Sequence, residues 1–331
     1  MLDKRFDKYK DRENDAEFLM AEGLVEQNEQ DMEQEQLLFN SAVPLSIAWK
    51  DRDHAKKIIT WDSDFEKCIE HRIRLFKFGG IERYMPWNIY KEMGLNWVNG
   101  YTLNQSSLGS CAGAAFRNSQ MHSGLVDAKM TDSAPTETGV DIVYALSRSS
   151  NGRINWGSGS NGTNLVKYGT EIGNYWTSDI GKYDTRGSNV TQANMDNPAF
   201  KARALQNQSI VCFLPEVSFD LFYKACAAGM SIWIGSPAFP SAAKKNSDGI
   251  SVPSNFTSGA HATSFNYAFE VNGIRYLSWD NQHGNRYSGG SGNRFNSPAT
   301  GTCITQADFN TFRITKSYGT PFVHLTELPN V

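Results

Sequence analysis

Cys111 stands where a polar, glycine-containing loop, residues 104–110, gives way to the small and apolar run Ala112-Gly113-Ala114-Ala115-Phe116. That change of composition predicts a helix beginning at Cys111, with Ser110 as a plausible cap. A thiol in the first turn sits at the positive end of the helix dipole, which favours its nucleophilic thiolate form. Six residues upstream, Gln105 carries an amide that can donate to an oxygen gaining charge at the same place. Downstream, His261 opens a strand-like run that continues to Val271. Asn272-Gly273 is a strong hairpin signal, and Ile274 to Trp279 reads as the returning strand. The hairpin brings Asn281, just past that strand, back towards His261. Asn281 can then hold the imidazole's tautomer, with the adjacent Asp280 as a second candidate for that task. A thiol, a base, a group that orients the base and an oxyanion donor together suit acyl transfer through a thioester.

The segment Asn-Gln-x-x-x-Gly-Ser-Cys, followed by small residues and Phe, resembles the active-site segment of papain-like cysteine proteases. His261-Ala262 and the Asn-x-x-Gly of Asn281 to Gly284 are similar to that family's histidine hairpin and the asparagine motif ending it. The resemblance implies an α+β, two-lobed fold, with a helical lobe and an antiparallel β lobe flanking a cleft. It also implies a peptidase in which Cys111 attacks, His261 moves the proton, Asn281 orients His261 and Gln105 stabilises the oxyanion. Ser160, Asn161 and Gly162, in the glycine-rich stretch 157–163, inherit the pairing with substrate backbone. Three positions depart from the family. Ala112 replaces the usual aromatic residue after the nucleophile. His283 replaces the tryptophan that shields the His–Asn hydrogen bond, and Leu108 replaces a disulfide cysteine.

These residues need elements to hold them. Helical spacing is read around Asp64–Phe76, Trp87–Met93, 140–148 and 164–168, the last with a stop at Gly169. A further helix from Phe219 ends at Gly229, which makes Cys226 a core residue. Strands are read at 210–214, 231–235, in the His261 hairpin and at 322–325, with a long loop from Gly284 to Gly301. Helices followed by strands give an α+β body over 94–331. Residues 41–93 are read as a cap on that body. Residues 1–40 form an acidic helical arm: from Glu13 to Asn40 there are nine acidic residues and no basic one. Such an arm suits a solvated extension, an inhibitory segment over the cleft, or an attachment arm. The last possibility motivates a second function class: a structural or attachment component of a larger assembly, for example a virus particle. It would be built on the papain-like fold with weak or no proteolysis.

Composition narrows the partners. The chain has 331 residues, 40% of them hydrophobic, and a formal net charge of −3, so nucleic acid and anionic membrane are not expected. The expected partners are a peptide or protein substrate and, through the arm, a protein assembly. The five cysteines, Cys68, Cys111, Cys212, Cys226 and Cys303, show neither disulfide pairing nor metal-ligand spacing. Reduced thiols, no metal and no organic cofactor are therefore expected. No apolar run approaches the roughly 20 residues that cross a bilayer. No apolar core of a signal peptide follows the first residues, so a cytoplasmic or virion-associated location is expected.

Overall fold

The computed structural model describes residues 57–98, 100–105, 109–139, 141–149, 152–155, 159, 160, 162–181, 191–290, 292–311 and 320–325. The expected arm over 1–40 lies outside these residues, as do Leu108 and Asn161.

The described residues build an α+β structure around a mostly antiparallel sheet. Its strands are β1 (Ile58–Ile59), β2 (Ile210–Phe213), β3 (Ile232–Lys245), β4 (Ser251–Val271), β5 (Ile274–Asp280), β6 (Gly301–Thr305) and β7 (Phe322–Leu325). Their order across the sheet is β1-β2-β7-β3-β4-β5-β6, with β1 and β2 parallel and the other pairs antiparallel. Asn272 and Gly273 join β4 to β5 with φ of 51° and 75°. Positive φ at both positions is what a two-residue hairpin turn requires. The turn sets the register from Val271↔Ile274 to Ser264↔Asp280, with a bulge between Phe265 and Tyr267. Strands β3 and β4 run well past the lengths read from the sequence and form a long ribbon.

Helix α1 (Ser63–Gly79) starts at Asp62, whose Oδ1 accepts from the backbone N–H groups of Asp64 and Phe65. Phe65 and Ile69 on α1 are buried with Cys212, Phe265 and Trp279 in one core. Burying those two side chains contributes about 3–6 kcal/mol. Helix α2 (Pro86–Glu92) buries Trp87, which donates to the Phe295 carbonyl. The described part of the expected 41–93 cap is packed against the body, with Phe65 and Ile69 in one core and Met85 and Trp87 in another. Cys226, on the helix Phe219–Ala227, is buried in the same core as Phe65.

Helix α3 (Cys111–Thr131) is buried on nearly all its faces from Ala112 to Ala128. Small residues at its start permit this. A Cβ on Gly113 would lie 2.8 Å from the Tyr144 ring on α4 (Asp141–Ser147). Helix α5 runs from Gly162 to Glu171, so the stop expected at Gly169 is absent. Gly169 instead lets Phe116 pack close: an added Cβ there would be 2.7 Å from the ring. The described residues of 284–300 are irregular apart from a short turn at Ser288–Gly290, yet they bury Tyr287 and Phe295.

Candidate active site

The loop before Cys111 is held from both sides. The Gly109 carbonyl accepts from Tyr144 Oη at 2.9 Å and from the Gly159 backbone N–H at 2.7 Å. From β3, Trp233 Nε1 donates to the Ala112 carbonyl at 3.0 Å. These bonds fix the first turn of α3 and so the direction of the Cys111 side chain. Ser110 is the cap residue, although its side chain makes no capping hydrogen bond.

The backbone N–H groups of Ala262, Ala112 and Cys111 itself face the sulfur. Ala262 follows His261 on β4, so the thiol at the start of α3 lies against the strand that carries the imidazole. The helix-terminus reading made the thiolate the favoured form. Burial reverses that direction: it pushes the Cys111 thiol above its ordinary pKa, and the three N–H groups oppose the rise without cancelling it.

His261 is 7% exposed, and its Nε2 lies 2.8 Å from Asn281 Oδ1. The surrounding bonds settle which end of the amide faces the ring. Tyr287 Oη donates its hydrogen to the Pro240 carbonyl at 2.7 Å, so its oxygen accepts from Asn281 Nδ2 at 2.8 Å. Asn281 Oδ1 therefore faces His261 and also accepts from the Gln282 backbone N–H. Nε2 then carries the ring proton, and Nδ1 keeps its lone pair.

Two aromatic rings pack against the imidazole. Phe239 packs against it at 4.5 Å between centroids, and His283 stacks on it at 5.2 Å with 17° between planes. The residue at the tryptophan-type position is thus itself an aromatic cover, half-buried beside the His261–Asn281 pair. Burial first, and then the charges of His283 and Arg286, lower the pKa of His261 to about 4 against the Asn281 bond, which raises it.

Asp280, the second candidate for orienting His261, turns away from it. Its Oδ2 accepts from Thr102 Oγ1 and Asn266 Nδ2, each at 3.0 Å, and lies 3.7 Å from His122 Nε2. Burial raises this carboxyl to about 7, against the hydrogen bonds from Thr102 and Thr300. Asp280 and Asn281 occupy opposite sides of the chain because successive residues alternate at the end of a strand.

Gln105 is buried beside the same strand end, its backbone N–H donating to the Gln282 carbonyl at 2.9 Å. Ser160 Oγ makes a short hydrogen bond with Ser147 Oγ at the end of α4. Gly162 is not an open loop residue. It is the buried first residue of α5, and a Cβ there would lie 2.6 Å from the Trp233 ring. Its smallness serves packing against β3. Among the described residues no group of three or more His, Cys, Asp or Glu side chains is placed to hold a metal ion.

Phe239, Tyr287 and Arg286 escaped sequence reasoning, since nothing local ties them to His261. Only the Asn-x-x-Gly motif hinted that the chain just beyond Asn281 would turn back over the site.

No protein-family model and no curated protein matches the chain. Among solved structures it is similar to xylellain, a cysteine protease from Xylella fastidiosa, at 14% identity and a TM-score of 0.46. That match covers 68% of this chain and 82% of xylellain. Digestive procathepsin L 3 of Tenebrio molitor larval midgut matches at 13% identity and 0.45, covering 70% and 69%. A Carica candamarcensis cysteine protease, in complex with E-64, matches at 11% identity and 0.44, covering 72% and 97%. These similar structures are papain-like cysteine proteases.

Proposed function

We propose that the chain is a cysteine peptidase that cleaves peptide bonds through Cys111, His261 and Asn281. The observation that carries this reading is the His261–Asn281 hydrogen bond on a strand whose next residue, Ala262, faces a thiol at a helix start. That bond leaves Nδ1 as the basic nitrogen. With the thiol raised and the imidazole lowered, the resting pair near neutral pH is a thiol and a neutral imidazole. The Cys111 proton passes to His261 Nδ1 as the sulfur bonds to the peptide carbonyl carbon. The carbonyl oxygen takes the negative charge, stabilised by the Gln105 amide and the Cys111 backbone N–H. Collapse breaks the C–N bond, and His261 returns the proton to the leaving amine. Water, deprotonated by the same nitrogen, then hydrolyses the thioester. Every step uses groups of this chain, the substrate and water: as the C–S bond breaks, the sulfur takes the proton back from His261. Ser160 and the Gly159 backbone flank the acyl half of the peptide.

Asn281 holds the ring, and no second group replaces it, because Asp280 is committed to Thr102 and Asn266. The attachment reading rests on residues 1–40, outside the described residues, and no observation at the site favours it.

The test is turnover of a fluorogenic peptide library by wild-type protein and four variants. Cys111→Ala and His261→Ala are expected to lose activity by several orders of magnitude. Gln105→Ala should lose on the order of a hundred- to a thousandfold, since one oxyanion donor remains. Asn281→Ala should lose a hundredfold or more, about as much as Gln105→Ala, because Asp280 offers no substitute. Wild-type protein that cleaves no peptide while Cys111 still alkylates would overturn the reading.

A further inference from the structure

Arg286 is an exposed cation fixed beside the candidate site. Its guanidinium carbon lies 5.8 Å from the centre of the Phe239 ring, the same ring that packs on His261. Its backbone is equally fixed. The Arg286 N–H donates to the Gly284 carbonyl, and the next residue, Tyr287, is buried and bonded to Asn281 and Pro240. The charge is felt across the site, since Arg286 lowers the pKa of both His261 and His283. Among the described residues no carboxylate pairs with it. A cation held by ring stacking keeps its hydrogen-bond donors open to an incoming group.

Its place relative to a bound peptide follows from the chemistry of the proposed reaction. His261 must reach the leaving nitrogen, so the groups walling its ring border the leaving-group half of the substrate. The Gly159–Ser160 loop, tied to Gly109 before the nucleophile, borders the acyl half. We propose that Arg286 selects peptides carrying a carboxylate on the leaving-group side of the cleaved bond. The inference rests on the peptidase reading and adds a substrate class to it. A carboxylate reaches that position either as an acidic side chain or as the free C-terminus of a short leaving peptide. Both match the planar donor fork of a guanidinium.

Peptides of one sequence, amidated at the C-terminus and carrying Glu, Gln or Lys at each of the first two leaving-side positions, test the first source. A neutral peptide ending shortly after the cleaved bond, with a free or an amidated terminus, tests the second. For wild-type protein kcat/KM is expected to favour the carboxylate about threefold to tenfold, the range of a partly exposed ion pair. Arg286→Gln should bring that ratio close to one, and Arg286→Glu should turn it in favour of Lys. A preference confined to one arm identifies the source. Cleavage without charge preference in either arm overturns the proposal, whereas cleavage of no peptide overturns the peptidase reading and the proposal with it. The rate of Cys111 alkylation by iodoacetate relative to iodoacetamide gives a readout free of turnover. It should fall several-fold in Arg286→Gln, and an unchanged ratio overturns the proposal.

Discussion

Tyr287 Oη lies 2.8 Å from Asn281 Nδ2, and this contact decides which end of the Asn281 amide meets His261. The tyrosine is itself anchored by the bond it donates to Pro240 on β3. Strand β3 thereby sets the tautomer of a histidine carried on β4.

Tyr287→Phe removes a single oxygen and leaves Asn281 Nδ2 and the Pro240 carbonyl buried without their partner. A loss of about 1–3 kcal/mol of stability is expected. The specific consequence is kinetic. With the amide then fixed only through Oδ1, by the Gln282 N–H and His261, kcat for a peptide should fall about tenfold with KM little changed, because ring orientation acts on the transition state. Steady-state kinetics beside a thermal melt separates the two effects. A melt shift with kcat intact would make Tyr287 a purely structural residue.

The resting protonation of the site predicts how Cys111 alkylates. Burial raises the thiol and lowers His261 to about 4, so near neutral pH the pair is uncharged. The iodoacetamide rate at Cys111 should climb steadily from pH 6 towards pH 9. A plateau reaching down to pH 5 would instead reveal a preformed thiolate–imidazolium pair. Among Cys111, Cys212, Cys226 and Cys303, Cys111 should nonetheless react fastest near neutral pH. Cys212 and Cys303 are raised to about 12, and Cys226 is buried and well above its ordinary value. Mass spectrometry after brief labelling reads both results.

Acid should unfold the protein through its buried histidines. Burial lowers His122 and His324 to about 3 and His261 to about 4, against about 6.5 in an unfolded chain. Below pH 6.5 the unfolded chain takes up protons that the folded chain refuses. The stability these groups contribute is thus present above 6.5 and lost as pH falls, by about 1.4 kcal/mol per unit for each group. Asp280 acts in the opposite sense, because folded it keeps its proton up to about 7. It offsets about one of the three histidines between pH 4 and 6.5. The melting temperature should therefore fall across that window, and Asp280→Asn should steepen the fall. A melting temperature that is flat from pH 7 to 4 would contradict the burial of these rings.

Local rules made the core of the site legible. The composition change at Cys111 marks a helix start, and that is where α3 begins. Asn272-Gly273 permits few turns, so the pairing of β4 with β5, and with it the return of Asn281 to His261, follows from a few adjacent residues. Other readings failed where the answer lay in a distant partner. Gly169 reads locally as a helix stop but is the space Phe116 needs, and Gly162 reads as open loop but is the space Trp233 needs. By sequence Asp280 stays a second candidate beside Asn281, and only the alternation of side chains at the end of β5 gives Asn281 to His261 and Asp280 to Thr102 and Asn266.

The sequence by itself determined the residue types, the helix start and the hairpin, because helix initiation and tight turns depend on neighbours within a few residues. Tertiary structure decided what surrounds the ring and how the site is charged. Phe239 on β3 and His283 after β5 pack on His261, while Arg286 and Tyr287 act on it through Phe239 and Asn281. Cys111 loses its expected low pKa for the same reason: desolvation depends on every atom packed around a group, whereas a helix dipole depends only on the group's place in one element.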